Sequence, residues 1–386
     1  MESTSQSFLI ELTENQTLIR DTIRDFAQSK IKPKVMEWDE AQHFPTNILR
    51  ELGELGFMGI IFPEEYGGAG LGYVDFVIII EELGIVDTSI ALSLAAHIGL
   101  CTRHIYNFGN AGQEKKYLPD LVSGRKIGAW GLTESFSGSD AAGLKSVAEK
   151  KGNKYILNGS KTFTTHGASG ETLVIMAITN KDAGKKGISA FILEQGTPGL
   201  IVGKKENKLG MRASETVQLT FENLEVPEEN LLGEEGMGFI NAMQVLEGGR
   251  ISIAAVSLGL AQGCLNESLK YSQERHQFGK PLSSFQATQF KLAEMKTNID
   301  AARMLTFRAA KMKDDGLPNI KEAAMAKLFA SEIAEKAASE AVQIHGGYGF
   351  TKDYPVEKYF RDVKLLTIGE GTSEIQRIVI AREVLK

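Results

Sequence analysis

The chain of 386 residues is 42% hydrophobic and 24% charged. These are the values of an ordinary globular enzyme; they exclude a disordered or fibrous class and leave room for two or three packed units at roughly 100 to 200 residues each. Its 49 acidic and 43 basic residues are mixed along the sequence with a formal net charge of -6, which argues against nucleic-acid binding.

The opening residues, Met1 to Ser7, are polar and carry neither an apolar signal core nor an Arg-rich transit pattern. No run approaches the roughly 18 apolar residues of a membrane span, since Phe76-Val77-Ile78-Ile79-Ile80 ends at Glu81-Glu82. Two cysteines, Cys101 and Cys264, lie far apart without a C-x-x-C partner, so a disulfide framework and a structural zinc are disfavoured and no metal site is expected. A reducing, cytoplasmic setting away from membranes follows as the expectation. Thr13 to Lys30 has helical period, with Leu18, Ile19, Ile23 and Phe26 assigned to one face, and Ile48 to Leu55 does likewise. Pro33, Pro45, Pro63 and the cluster Gly67-Gly68-Ala69-Gly70 punctuate these helices. Residues 1–124 are predicted to form an all-α domain.

From 125 to 232 the period changes to two. Val217, Leu219 and Phe221 alternate with Thr216, Gln218 and Thr220, and short apolar runs stand at Leu173 to Ile178 and Ile188 to Leu193. Asn158-Gly159, between Tyr155-Ile156-Leu157 and Lys161-Thr162-Phe163, carries the signal of a type I′ hairpin. A central β-domain, sheet or barrel, is expected. From 233 to 386 the helical period returns through Ala254, Leu258, Ala261, Leu265 and Leu269. A second long helix is expected from an Asn319 N-cap with Glu322 three residues on, its small residues Ala323, Ala326, Ala330, Ala334, Ala337 and Ala341 allowing close packing in a bundle. The class is α+β.

Four segments could carry chemistry. Gly131 through Asp140 collects hydroxyls and glycines able to hold a phosphate, though an ordinary Ser/Gly loop has the same composition. Arg275-His276-Gln277-Phe278-Gly279-Lys280-Pro281 joins a cation, an aromatic ring and a turn, as a phosphate site or a solvated loop would. Gln343 to Phe350 offers a bare Gly-Gly turn that is either a backbone contact for a ligand or a helix C-cap; His345 reads as structural. In Ile368-Gly369-Glu370-Gly371-Thr372 a carboxylate stands between two glycines, the setting of an under-neutralised base or of a helix start with a helpful acid.

Three of these segments, Gly131 through Asp140, Gln343 through Asp362 (with Gly346, Gly347, Gly349, Asp353, Lys358 and Asp362 in step) and Glu370-Gly371-Thr372, follow one another as in the acyl-CoA dehydrogenases. The chain resembles that family over essentially its full length, most nearly the short-chain or butyryl-CoA type. The resemblance implies an N-terminal α-domain, a central β-domain and a C-terminal four-helix bundle, assembled as a homotetramer (a dimer of dimers) with non-covalent FAD between subunits. It implies that Trp130, Leu132, Thr133, Ser139, Phe163 and Thr165 contact the flavin. Arg275, Gln277, Phe278, Gln286, Gln343, Gly346 and Gly347 would bind the FAD of a neighbouring subunit, and Thr372 and Glu374 would face its adenylate. Ser139, Glu247, Arg250 and Gly371 would meet the acyl-CoA. Glu370 takes the place of the base, removing the α-proton while hydride leaves the β-carbon, and electrons would pass to an electron-transferring flavoprotein.

Gly249 occupies the alternative base position before Arg250 and cannot serve there. The chain departs from the family's pattern at Ser135-Phe136, where Pro-Gly is usual, at Gly369, where an aromatic is common, and at Phe163, often Trp. The departure at Gly369 is expected to widen the acyl pocket or loosen the base loop. A related flavin oxidase acting on an acyl-CoA or a nitroalkane, and a non-catalytic flavin-binding scaffold, are the competing readings.

Overall fold

The computed structural model describes residues 11–386, and the expectation about Met1 to Ser7 lies outside them. Local capping starts the first helices. α1 (Glu14–Phe26) begins at a reciprocal Thr13–Gln16 capping box, and α7 (Ala111–Val122) at another between Asn110 and Gln113. Between them run α2 (Val35–Ala41), α3 (Thr46–Glu54), α4 (Tyr73–Val86), α5 (Thr88–Ala96) and α6 (Arg103–Phe108). Asp87 caps α5, accepting from the Ser89 and Ile90 N–H groups at 2.6 and 3.2 Å. On α1, Ile23 and Phe26 are buried but Leu18 is 67% exposed. The face assigned to α1 is thus off by about a quarter turn, because Leu18 precedes Ile19 and Ile23 by roughly 100° or more on the helical wheel.

The middle region is one sheet of eight strands: β1 (Gly128–Gly131), β2 (Val147–Lys151), β3 (Lys154–Thr165), β4 (Thr172–Ile178), β5 (Ile188–Glu194), β6 (Leu200–Lys205), β7 (Thr216–Pro227) and β8 (Leu231–Leu232). The path is β6-β7-β3-β2-β4-β5-β8, with β1 parallel to β4. Val174 and Met176 of β4 face the helical core, whereas Leu173, Ile175 and Ala177 face a second core that the sheet closes on itself with Tyr155, Phe191 and Phe221. Burial on both faces is why β4 reads as an unbroken apolar run. The predicted hairpin at Asn158-Gly159 is not formed: β3 continues through it, with a register shift against β7 between Leu157 and Gly159. The same residues that favour a turn make a bulge there, with the Asn223 N–H donating to Asn158 Oδ1 at 2.8 Å.

The chain returns to helix in α8 (Gly238–Glu274), crosses a small ribbon of β9 (His276–Gln277) and β10 (Lys280–Pro281), and continues in α9 (Gln286–Asp314), α10 (Ile320–His345), α11 (Val356–Asp362) and α12 (Ser373–Val384). The α, β, α order is that of the expected fold class. α10 lies against α8, α9 and α12 through its buried alanines, and α4 crosses α8 closely at Gly259, where a Cβ would stand 2.4 Å from the Glu81 carbonyl. Asn319 precedes α10 but does not cap it through its side chain; the amide is buried and donates to the Ala309 carbonyl at 3.0 Å instead. A buried ion cluster joins all three regions. Lys358 Nζ lies 2.5 Å from Asp362 and 3.6 Å from Asp87, while Asp362 also accepts from Thr88 Oγ1 and from the Met211 N–H, both at 2.6 Å.

Among the described residues no helix is long and apolar enough to cross a membrane. Cys101 and Cys264 are buried free thiols.

Candidate active site

The chain leaves α11 through a 3-10 turn, Val363–Thr367, and reaches Glu370 just before Thr372, whose hydroxyl caps α12 by accepting from the Ile375 N–H. Glu370 has φ +54° and Gly371 φ +95°. The left-handed conformation costs a residue with a side chain of order 1 kcal/mol or more and needs surrounding bonds to hold it. Those bonds are present on the carbonyl side. Lys327 Nζ donates to the Gly371 carbonyl at 2.7 Å, and Gln376 Nε2 donates to the Gly371 and Glu370 carbonyls at 2.9 and 3.3 Å. The Glu370 N–H donates to nothing among the described residues.

The Glu370 carboxylate lies over Gly249 of α8, where a Cβ would come within 1.7 Å of Oε2. Glycine at 249 therefore makes the room the carboxylate occupies. As a residue Glu370 is half-buried, but Oε2 is shut off from solvent and has no hydrogen-bond partner. Burial pushes the carboxyl up to about 7, with Lys327 and Arg250 drawing it back down. An acid with that value is suited to act as a base at neutral pH. Arg250 is buried and its Nε is unpartnered. Glu247, one turn earlier, is raised by burial, an effect opposed by Lys313 and Arg250. The buried Tyr73 phenol reaches the same place, its oxygen 2.6 Å from where a Gly248 Cβ would stand, and its N–H is held by Asp314 at 2.6 Å. One surface cleft lies elsewhere, against Trp38, Phe44 and Lys205. Glu370 thus stands out by its chemistry.

A second group gathers on the sheet. Trp130 of β1 is half-buried with its indole N–H on His104 Nδ1 at 3.0 Å; Leu132 is buried, Thr133 half-buried and Ser139 exposed. The loop carrying them is tied down by Glu134, paired with the buried Lys161 at 2.5 Å and accepting from the Lys145 and Ser146 N–H groups. Ser135 and Phe136 lie outside that anchor and are exposed. A register shift between Lys161 and Thr164 turns Phe163 outward at φ +55° and 64% exposure, beside the half-buried Thr165. A third group sits at the far end of the bundle. Arg275, Gln277, Phe278, Gln286, Gln343, Gly346 and Gly347 are all exposed there, and Arg275 lies 5.7 Å from the centre of the Tyr348 ring. No hydrogen bond or ring contact among the described residues joins this group to the sheet group.

Profiles of the acyl-CoA dehydrogenase N-terminal, middle and C-terminal domains match residues 13–125, 129–224 and 236–385. A short-chain specific acyl-CoA dehydrogenase of Clostridium acetobutylicum is 46% identical over 375 residues, covering 97% of this chain and 99% of the relative. The chain belongs to the acyl-CoA dehydrogenase family. The solved butyryl-CoA dehydrogenase of Megasphaera elsdenii superposes on this dehydrogenase with a TM-score of 0.96 at 44% identity, over 98% of this chain and 100% of the other. A chain from a structure described as the electron transferring flavoprotein of Acidaminococcus fermentans gives 0.97 at 48% identity, again over 98% and 100%.

The cofactor of this dehydrogenase is FAD, and its residues fit one. Phe163 and Phe278, 64% and 93% exposed and both in the left-handed region, present flat surfaces to solvent, Phe278 meeting Phe285 edge-on with 6.2 Å between ring centres. Thr165 shares β3 with Phe163, Trp130 lies on β1 with Thr133 and Ser139 in the loop after it, and Arg275, three residues before Phe278, lies against the ring of Tyr348, which follows the Gly346-Gly347 turn. Thr372 spends its hydroxyl on the helix cap, and Glu374 is exposed in the first turn of α12. The sequence reading missed Lys327, Gln376, Tyr73 and the Glu134–Lys161 anchor. A lysine at 327, on the face shared by Ala323 and Ala330, was the available signal.

Proposed function

We propose that this dehydrogenase converts a short-chain acyl-CoA to the trans-2-enoyl-CoA, with Glu370 removing the α-proton. The observation that carries the reading is the Glu370 carboxyl: its Oε2 is shut off from solvent without a hydrogen-bond partner, burial raises it to about 7, and it is set against a glycine. An acyl chain entering this space removes the remaining water and strengthens the base. The α-proton of a thioester is weakly acidic, so the developing enolate oxygen needs a donor. The Glu370 N–H is uncommitted, and the flanking carbonyls are held away from it by Lys327 and Gln376. Glu247 and Arg250 open the side of α8 from which the CoA thioester would approach, with Gly371 and Ser139 bordering it. FAD, when bound, would supply the acceptor for the β-hydride, and the electron pair would pass on to an electron-transferring flavoprotein.

The short acyl chain is supported by the relatives in Clostridium and Megasphaera, named for short-chain and butyryl substrates. The flavoprotein partner is supported by the neighbour from Acidaminococcus. The homotetramer follows from the family resemblance; that no hydrogen bond or ring contact among the described residues joins the sheet group to the exposed far-end group supports a flavin drawing them from different subunits. Free buried thiols accord with a cytoplasmic setting. Anaerobic titration with straight and branched acyl-CoAs, following the bleaching of oxidised flavin, tests the reading. A short straight acyl-CoA reduces the wild type but not Glu370→Gln; reduction of both proteins alike would remove Glu370 from the mechanism.

A further inference from the structure

Lys327 lies two turns into α10 with its side chain wholly out of solvent, on a face where Ala323, Ala326, Ala330 and Ser331 are also fully buried. Burying an ammonium costs several kcal/mol unless it is compensated, and among the described residues no carboxylate comes within ion-pair distance of it. Its one hydrogen bond is to the Gly371 carbonyl. A residue that served only to fill space here would be apolar, as its neighbours are. What the charge faces is the base loop: Glu370 acts on Lys327 most strongly after burial, followed by Arg250, Glu374 and Glu332.

We propose that Lys327 is a positioning residue of the base loop: with the Gln376 amide it clamps the carbonyls of Glu370 and Gly371, holding the carboxylate over Gly249, and its charge favours the ionised base. The inference rests on Glu370 being the base. Two consecutive residues with positive φ have no regular structure to keep them in place. The clamp takes both carbonyls and leaves the Glu370 N–H without an acceptor among the described residues. Burial pushes the Lys327 ammonium down to about 8, so it is cationic at neutral pH. The other groups facing Glu370 are Arg250 of α8, which shares the sign of Lys327, and the Tyr73 phenol of α4.

Three substitutions separate the two roles. Lys327→Gln keeps an amide donor and loses the charge, Lys327→Arg keeps the charge, and Lys327→Met loses both. The measurements are the pH profile of kcat/KM for flavin reduction and the pH at which each protein's thermal stability parts from that of its Glu370→Gln double variant. In Lys327→Met the plateau falls by about 10- to 100-fold and the acid limb rises by about 1 pH unit. Lys327→Gln recovers most of the plateau but keeps the raised limb, Lys327→Arg returns the limb, and the stability midpoint moves with the limb. A Lys327→Met protein that retains flavin and shows the wild-type limb and plateau overturns the proposal. So does a Lys327→Gln protein no better than Lys327→Met. If no acyl-CoA reduces the wild type, the assignment of the base fails by itself, and the stability midpoint still shows whether Lys327 and Glu370 are coupled.

Discussion

Replacing Glu370 by Gln should abolish turnover and yet make the protein more stable, by an amount that depends on pH. The carboxyl is raised by burial from 4.5 to about 7. Below pH 4.5 it is protonated in both folded and unfolded chains, and Gln and Glu are nearly equivalent. Between pH 4.5 and 7 the unfolded chain releases its proton while the folded chain keeps it, so the wild type loses stability as pH rises through that window. At about 1.4 kcal/mol per pH unit, the loss reaches about 3 kcal/mol once both states are ionised. Lys327 and Arg250 pull the other way, since their charges are less compensated in the variant, and a value near 7 already contains their influence. Thermal unfolding of the two flavin-loaded proteins between pH 5 and 8.5, without ligand, should show a Tm gap that opens by several degrees toward high pH. A gap independent of pH, or a Gln variant less stable at pH 8, would refute the claim that burial raises this carboxyl.

Gly249→Ala places a Cβ within 1.7 Å of Glu370 Oε2; the flexible carboxylate swings aside, so kcat should fall on the order of 100-fold while Tm stays near wild type, as paired turnover and unfolding assays would show. Lys358→Met leaves Asp87 and Asp362 buried without their cation and should cost about 3 to 5 kcal/mol, read from denaturant unfolding of the holoenzyme. Gly369→Tyr fills space beside the base, and the kcat/KM ratio of a branched to a straight short acyl-CoA should drop about 10-fold.

The alternation of helix, sheet and helix was legible because each region holds one period long enough to read: four-residue and three-residue steps in α8, alternation in β7. Glu370 was legible because its two glycines announce an unusual backbone. What failed were choices made between local and distant partners. Asn158-Gly159 has the chemistry of a turn, but β7 supplies a strand for β3 to continue against, and pairing outweighs the local preference. Asn319 has the chemistry of a cap, but the Ala309 carbonyl ten residues back claims its amide. Lys327 escaped notice because its acceptor, the Gly371 carbonyl, lies 44 residues further on. Its place among alanines on a buried face was visible, but periodicity shows only that a residue is buried and not what it binds.

The two glycines beside the base differ in what requires them. At 249 a side chain collides with the carboxylate itself, so glycine there is a condition of having Glu370 in place. At 369 an added Cβ would meet Leu365 at 3.4 to 3.7 Å, ordinary to slightly tight contact, and the backbone is not in the left-handed region. The loop is also secured at that point, since the Ile368 and Gly369 N–H groups both donate to the Leu365 carbonyl at 2.9 and 2.7 Å. Neither packing nor backbone shape demands glycine at 369, and the loop is not loosened by having it. What the missing side chain leaves is room beside Leu365. In the proposed reaction Gly249 and the hydrogen bonds to the Glu370 and Gly371 carbonyls hold Glu370 in place, and residue 369 is the position at which selection of the acyl group is expected to act.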